Sequence, residues 1–389
     1  MKRLNLALKF SKFELLSIVI MVTLLITALS VGVKGLFHGH EGLYNTSREM
    51  PIALLLGAYI FFVVTSTGLC IISAIGHVFH FEEFEPISKR AVFLSIATIM
   101  GGFVCLLFEL DMPLNMYYFA LSPNIKSGVW WMSFLYSFYL FFMICEFIAL
   151  IFDKHSLGSK LGFLGLACGL AAHSNMGAVF GTLQGRTYWH GAFMPIYFIV
   201  SAFFSGLAAI IFFTYISKFV KKRALTDEIL NSLMYTGRLL GFAIIIMLFF
   251  DIWKHIIGTI NYAGEQTVAI ISLDEGPLKV NFWMFEVACG MIIPLVLIFI
   301  TKAKNYTILF ISSIICIVGI FYMRYDLMLA GQIVPLWHEI GATSAQHYIS
   351  YSPSIAEVLV FAGGLSFVGL LYLFGEKVFQ LDVVHSKHQ

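Results

Sequence analysis

Tyr59-Ile-Phe-Phe-Val-Val-Thr-Ser-Thr-Gly68-Leu69 lies in an apolar run from 51 to 76 that holds no Asp, Glu, Lys or Arg. A hydrocarbon core of about 30 Å takes about 20 apolar residues of helix, so the run reads as a membrane span. Moved outward along the chain, the same ruler finds nine more, at 14–36, 88–110, 129–152, 159–182, 191–217, 229–253, 281–301, 305–323 and 354–375. The composition agrees. Of 389 residues 59% are hydrophobic and 12% charged, with a mean hydropathy of +0.88, and no soluble surface can be made from that. The expected fold is all-α and polytopic, a single integral membrane domain over 1–389.

Orientation follows from Lys and Arg, which concentrate in cytoplasmic loops. With the N-terminus inside, 16 of the 24 basic residues fall on the inner side, among them Lys89, Arg90, Lys218, Lys221, Lys222 and Arg223. Both termini are then cytoplasmic, which needs an even number of spans, and the chain is expected in the cytoplasmic (inner) membrane. The first apolar run is too long for a signal-peptide core and reads as a retained helix. The net charge of +2 gives no argument for nucleic acid.

Sites are marked by charge where charge is costly. Glu109, Asp111, Glu146, His173, Arg238, Asp251, Glu286, Arg324 and Glu357 fall in or at the edges of spans, where they must pair or face a polar interior. The richest stretch closes span three: Phe108-Glu109-Leu110-Asp111-Met112-Pro113-Leu114-Asn115-Met116-Tyr117-Tyr118. Two carboxylates, an amide and two phenols at an outer membrane boundary suit a ligand with a polar head and an apolar tail, such as a quinone. They equally suit a solvated loop with an aromatic belt. His173, followed by Ser174 and Asn175, sits well inside span five, and no other histidine matches its depth for a haem. Graded in depth, Arg238, Asp251, Glu286, Arg324 and Glu357 read as a proton path or as charge compensation between helices. A secondary transporter or ion-translocating module would use the same charges, and a scaffold would need none of them.

Spans two and six share a pattern: Tyr197 is followed, like Tyr59, by eight residues and then Gly-Leu, at Gly206-Leu207. Spans four and eight open on Trp130-Trp131 and Trp283 and carry Glu146 and Glu286. Two pseudo-repeated four-helix bundles, about 51–182 and 191–323, with outer helices at 14–36 and 354–375, are the expected organisation. The loops at 111–128, 254–280 and 324–353 are the long ones, all on the outer face, and long loops on one face point to a partner protein there. Six cysteines lie within spans without a C-x-x-C pair, so no zinc or iron–sulfur spacing is present.

In order and spacing, several segments resemble the NrfD family, the membrane subunits of polysulfide-reductase-like complexes, and especially its ten-span members such as the hydrogenase-2-type membrane subunit. They run from Gly42-Leu43 through Met50-Pro51 to Thr67-Gly68, from Gly101-Gly102 to Asn115, and over Ser174-Asn175-Met176-Gly177. They continue with Phe282-Trp283, Glu286 and Pro294, Arg324-Tyr325 with Gly331-Gln332, and Tyr351-Ser352-Pro353-Ser354 with Glu357. The resemblance implies a subunit without haem or iron–sulfur cluster that binds menaquinone or ubiquinone near the outer face. It implies an adjoining iron–sulfur electron-transfer subunit and, beyond it, a molybdopterin or other catalytic subunit. On this reading Glu109, Asp111 and His173 handle the head group and its protons, and Asn115, Tyr117, Tyr118, Ser174 and Asn175 line the pocket.

Overall fold

The computed structural model describes residues 10–260, 264–335 and 348–382. Ten helices among them are long and apolar enough to cross a membrane. In chain order, spans 1 to 10 are Lys12–His38, Leu54–His77, Glu85–Glu109, Gly128–Ile151, His155–Gly181, Phe193–Lys221, Asp227–Ile260, Asn281–Thr301, Tyr306–Ala330 and Ile355–Val378. The all-α, ten-span expectation holds. Span 7, at 34 residues, is about 50 Å long at 1.5 Å per residue and so outruns the hydrocarbon.

Local chemistry sets the ends. Ser11 and Ser354 open spans 1 and 10 with capping boxes completed by Glu14 and Glu357, and Asn305 accepts from the N–H groups of Thr307 and Ile308 at the start of span 9. Spans 6 and 8 stop where Lys222 and Lys302 turn left-handed, at φ 52° each. Two helices run about two turns further than the sequence suggested. Span 7 continues past 253 to Ile260, and span 9 past 323 to Ala330, which brings Lys254, His255, Arg324 and Asp326 inside helices. Charged residues ended those runs in the sequence; in the fold they face a polar interior, and the helix carries on.

Alternate crossings put the long connections on one face and the short ones on the other. The long-loop face carries Pro113–Tyr117, Tyr118–Leu121 and the helix Glu265–Asp274; of the expected outer loop at 324–353, residues 336–347 lie outside the described residues. Span 2 is the most buried helix and packs against spans 3, 5, 6 and 9, while span 1 lies outside, against span 10. Spans 2 and 6 cross at Gly68 and Gly206, where a Cβ on either residue would overlap the other helix's backbone. The two glycines matched in the sequence thus meet in the centre of the molecule. Span 2 also packs on span 5 as span 6 does on span 9, and spans 5 and 9 each pack across onto the other unit.

Candidate functional site

Three groups of buried polar side chains hold or adjoin the residues singled out in the sequence. The first lies at the long-loop end, where spans 1, 3 and 10 meet. Glu109, the last residue of span 3, makes no hydrogen bond or ion pair among the described residues, and it feels the charges of Glu357 and Asp111. Glu357 is fully buried and accepts from Tyr351 Oη at 2.6 Å, Ser354 N at 2.7 Å and Asn45 N at 3.2 Å. Asp111 is exposed and meets His40 Nδ1 at 2.9 Å. Tyr44, buried beside His40 with ring centroids 4.6 Å apart, has its phenol pushed above the ordinary range by burial and by the charges of Glu109 and Glu357.

The second group threads spans 2, 4 and 5. His77 Nδ1 stands 3.7 Å from Glu146 Oε1 near the short-loop face. Span 5 presents Gly162 there; a Cβ would come within 2.7 Å of Glu146 Oε1, so only glycine leaves the carboxylate its place. Further in, Tyr139 Oη donates to Ser66 O at 3.0 Å, and Ser66 Oγ donates to Ser95 O at 2.7 Å. Beyond them His173 Nδ1 lies 3.0 Å from both Thr67 Oγ1 and Tyr136 Oη, and its Nε2 is buried without a partner among the described residues.

The third group belongs to spans 7, 8 and 9. Asp251, Lys254, Glu286, Arg324 and Asp326 are close enough for their charges to act on one another, yet none is in salt-bridge contact with another. Arg324 has no exposed surface, and none of its three guanidinium nitrogens has a hydrogen-bond partner among the described residues. Its Cζ sits 5.6 Å from the Phe198 ring, and the His173 imidazole lies 6.3 Å from the same ring. Lys254 Nζ stands 3.7 Å over Tyr188, and Asp326 accepts from Asn281 Nδ2 at 3.0 Å. Glu286 lies on a π-helical stretch, Asn281–Ile292, that ends just before Pro294. Proline lacks an N–H and crowds the carbonyl four residues back, so the wider turn before it has a local cause, and π-turns of this kind collect at functional sites. Buried charges held apart in this way need water or a ligand between them.

The residues singled out in the sequence therefore divide. Glu109, Asp111 and Glu357 come together at the seam with spans 1 and 10. His173 lies in the second group, and no contact among the described residues joins it to Glu109 or Asp111. Asp251, Glu286 and Arg324 form the third group. Asn115, Tyr117 and Tyr118 stand exposed on the long-loop face, the two tyrosine rings 4.3 Å apart. Asn175 Nδ2 donates to Gly128 O at 2.7 Å and ties span 5 to the start of span 4; Ser174 beside it is half-buried. Arg238 departs from the expected path: it is exposed on span 7, beside Met234 and over the Tyr235 ring at 5.6 Å. Its long stem lets it lie along the outside of the helix, so it needs no counter-charge in the interior.

Sequence reading missed His40, Tyr44, Thr67, Tyr136, Lys254 and Asp326. Asp326 and Lys254 carried a usable signal, being charges next to an apolar run. Tyr136 carried none, since hydroxyls are ordinary in spans, and Thr67 stood in a resembling segment without a role.

The fold is that of a ten-span helical membrane protein with titratable side chains through its interior and long loops on one face. The chain belongs to the polysulphide reductase NrfD family, whose model matches residues 42–335, spans 2 to 9 with the loop before them. It is similar to the Hdr-like menaquinol oxidoreductase integral membrane subunit of Archaeoglobus fulgidus, at 25% identity over 96% of this chain and 97% of the relative. It is also similar to a selenate reductase subunit of Mesobacillus selenatarsenatis, at 24% over 85% of each chain. A third relative is the menaquinone reductase integral membrane subunit of Nitratidesulfovibrio vulgaris, at 22% over 80% of this chain and 77% of the relative.

Proposed function

We propose that this chain is the quinone-reactive membrane subunit of a multi-subunit respiratory oxidoreductase, and that the quinone is menaquinone. Two relatives bear menaquinol or menaquinone in their names, and a third belongs to a selenate reductase. The observation that carries the reading is the seam group. Glu109, a carboxylate without hydrogen bond or ion pair among the described residues, closes span 3 at the level where a lipid-soluble head group would lie, with Asp111 and Glu357 beside it. A group that trades protons with a quinol must be free to change protonation state at such a place.

The basic bias of the short-loop face supports a cytoplasmic position for that face, with the long loops outside. An iron–sulfur subunit docks on those loops, over Asn115, Tyr117 and Tyr118, and passes electrons between the quinone and a catalytic subunit of the molybdopterin kind. His173, with Thr67 and Tyr136, and the charges of Asp251, Glu286 and Arg324 carry protons through the interior. The reading of spans 2–5 and 6–9 as two repeats of one four-helix unit is supported by the close approach of Gly68 and Gly206 and by the matching packing of span 2 on span 5 and span 6 on span 9. The ion-translocating alternative shares these groups, and the family membership favours their use within a redox complex.

The test is lipid extraction of the purified complex followed by quinol-dependent reduction of the partner subunits. Bound menaquinone is expected, and Glu109→Gln should lower quinol-linked turnover about 100-fold in an assembled complex. A complex that neither holds quinone nor reacts with quinol would overturn the reading, and solute uptake without any redox partner would replace it with a transporter.

A further inference from the structure

Gly35 is buried three residues before the end of span 1, and the chain folds back above it. The N–H groups of Leu43 and Tyr44 both donate to His40 O at 3.0 Å, a turn that sets the His40 and Tyr44 rings side by side. A Cβ built on Gly35 would lie 3.2 Å from Leu43 Cδ2 and 3.5 Å from both His40 Cδ2 and Tyr44 Oη, so the imidazole edge and the phenol converge beside one apolar side chain. Both are unpaired there among the described residues. Tyr44 is 4% exposed and its hydroxyl has no hydrogen-bond partner; His40 Nε2, next to that Cδ2, is buried and unpaired as well. Groups of this kind are rarely left orphaned unless something completes them. The other nitrogen of His40 is held by Asp111, which fixes the ring and keeps Nε2 turned inward.

The position says what would complete them. Gly35 and His40 precede the family match at 42–335, and Tyr351 and Glu357 follow it, so this corner is a seam between the eight-span core and the two flanking helices. Span 1 is the least buried of the ten, so an apolar tail could lie along it. Resting on the quinone-reactive reading, we propose that His40 Nε2 and Tyr44 Oη are the head-group contacts for the quinone, with Asp111 a positioning residue for His40. When a quinol is oxidised here, its two electrons leave to the iron–sulfur partner. One of its two protons passes to His40 Nε2 and the other to the Glu109 carboxylate, while Tyr44 Oη, which has no hydrogen-bond partner of its own, donates to the head-group oxygen, leaving the quinone.

The experiment uses the whole complex, a water-soluble menaquinol analogue as donor, and quinone content by extraction. Tyr44→Phe and His40→Gln, both close in shape to the residues they replace, are expected to raise KM for the analogue at least tenfold and to deplete bound quinone. Dye-linked activity of the catalytic subunit should stay as in the unaltered complex. Asp111→Asn should lower kcat and move the pH profile of kcat/KM, with Asp111→Glu restoring part of both. If Tyr44→Phe and His40→Gln keep normal KM and quinone content in assembled complexes, the head group lies elsewhere and this assignment is wrong, while the unaltered complex's quinone activity keeps the wider reading alive. An unaltered complex inert to quinol defeats the wider reading instead.

Discussion

Arg90 and Arg324 are both buried without exposed surface in spans of the same molecule, and their surroundings differ completely. Arg90, near the short-loop face, donates from Nε to Glu376 Oε1 at 2.6 Å and from Nη2 to Asp382; Lys221 of span 6 meets the same two acids at 2.9 and 2.6 Å. Spans 3, 6 and 10 are thereby tied at one corner. Arg324, toward the other face, touches no acid among the described residues, although Asp251 and Glu286 surround it at longer range. A buried charge closed into ion pairs is a fastening. One kept apart from its counter-charges costs stability and leaves room for protons or water to move, which is a reason to look for work there.

The comparison breaks most visibly at the fastening. Arg90→Leu leaves Glu376 and Asp382 with Lys221 alone, and breaking a buried pair costs about 3–5 kcal/mol. The variant should fail to accumulate in the membrane or should unfold well below the parent in detergent. Arg324→Leu should assemble normally and lower quinol-linked turnover about 100-fold, the usual size of a lost proton-transfer group. Both are read by membrane yield, thermal unfolding of the purified complex and quinol activity. Equal loss of folded protein in the two variants would erase the distinction.

A smaller effect sharpens the same contrast through pH. Burial alone pushes the Asp382 carboxyl up, but the charges and hydrogen bonds of Arg90 and Lys221 outweigh it, so it titrates below its ordinary 3.8. The native value is the depressed one, so the stabilisation is complete above the unfolded value and fades as pH falls through the native one. Acid unfolding of the parent should therefore be steepest below about pH 4. In Asp382→Asn that part of the slope should be missing, and an unchanged acid limb would show that Asp382 contributes nothing to the fastening.

These differences mark how far the sequence could be read. The ten spans were legible because length and apolar composition alone decide what crosses a bilayer, and Gly68 and Gly206 were legible as a repeated pattern before their contact was visible. Glu109 and Asp111 were found because carboxylates at the end of an apolar run stand out. What could not be read was pairing. The sequence joined Glu109 and His173 in one site, and no contact among the described residues joins them, since depth along a helix says nothing about which face it turns to which neighbour. Arg90 was counted as a loop charge giving orientation, because its partners Glu376 and Asp382 lie some 290 residues away. His40 and Tyr44 had no mark at all; only the turn that sets them over Gly35 makes them a pair.

Arg238 gives the comparison its third member and its smallest expected effect. The sequence placed it with Arg324, as a guanidinium within an apolar run needing a counter-charge. In the fold it is exposed on the outside of span 7, its Nη2 near Met234 Sδ at 3.6 Å and its charge over the Tyr235 ring. Neither neighbour is a buried acid, and the third group loses nothing if the charge goes. Arg238→Gln should then change stability by no more than about 0.5 kcal/mol, as exposed substitutions away from special features do, and should leave quinol turnover as in the parent. A loss of turnover approaching that of Arg324→Leu would mean that the outer side of span 7 is part of the working path or of a partner's binding surface. The division of the three arginines by burial and pairing would then have to be redrawn.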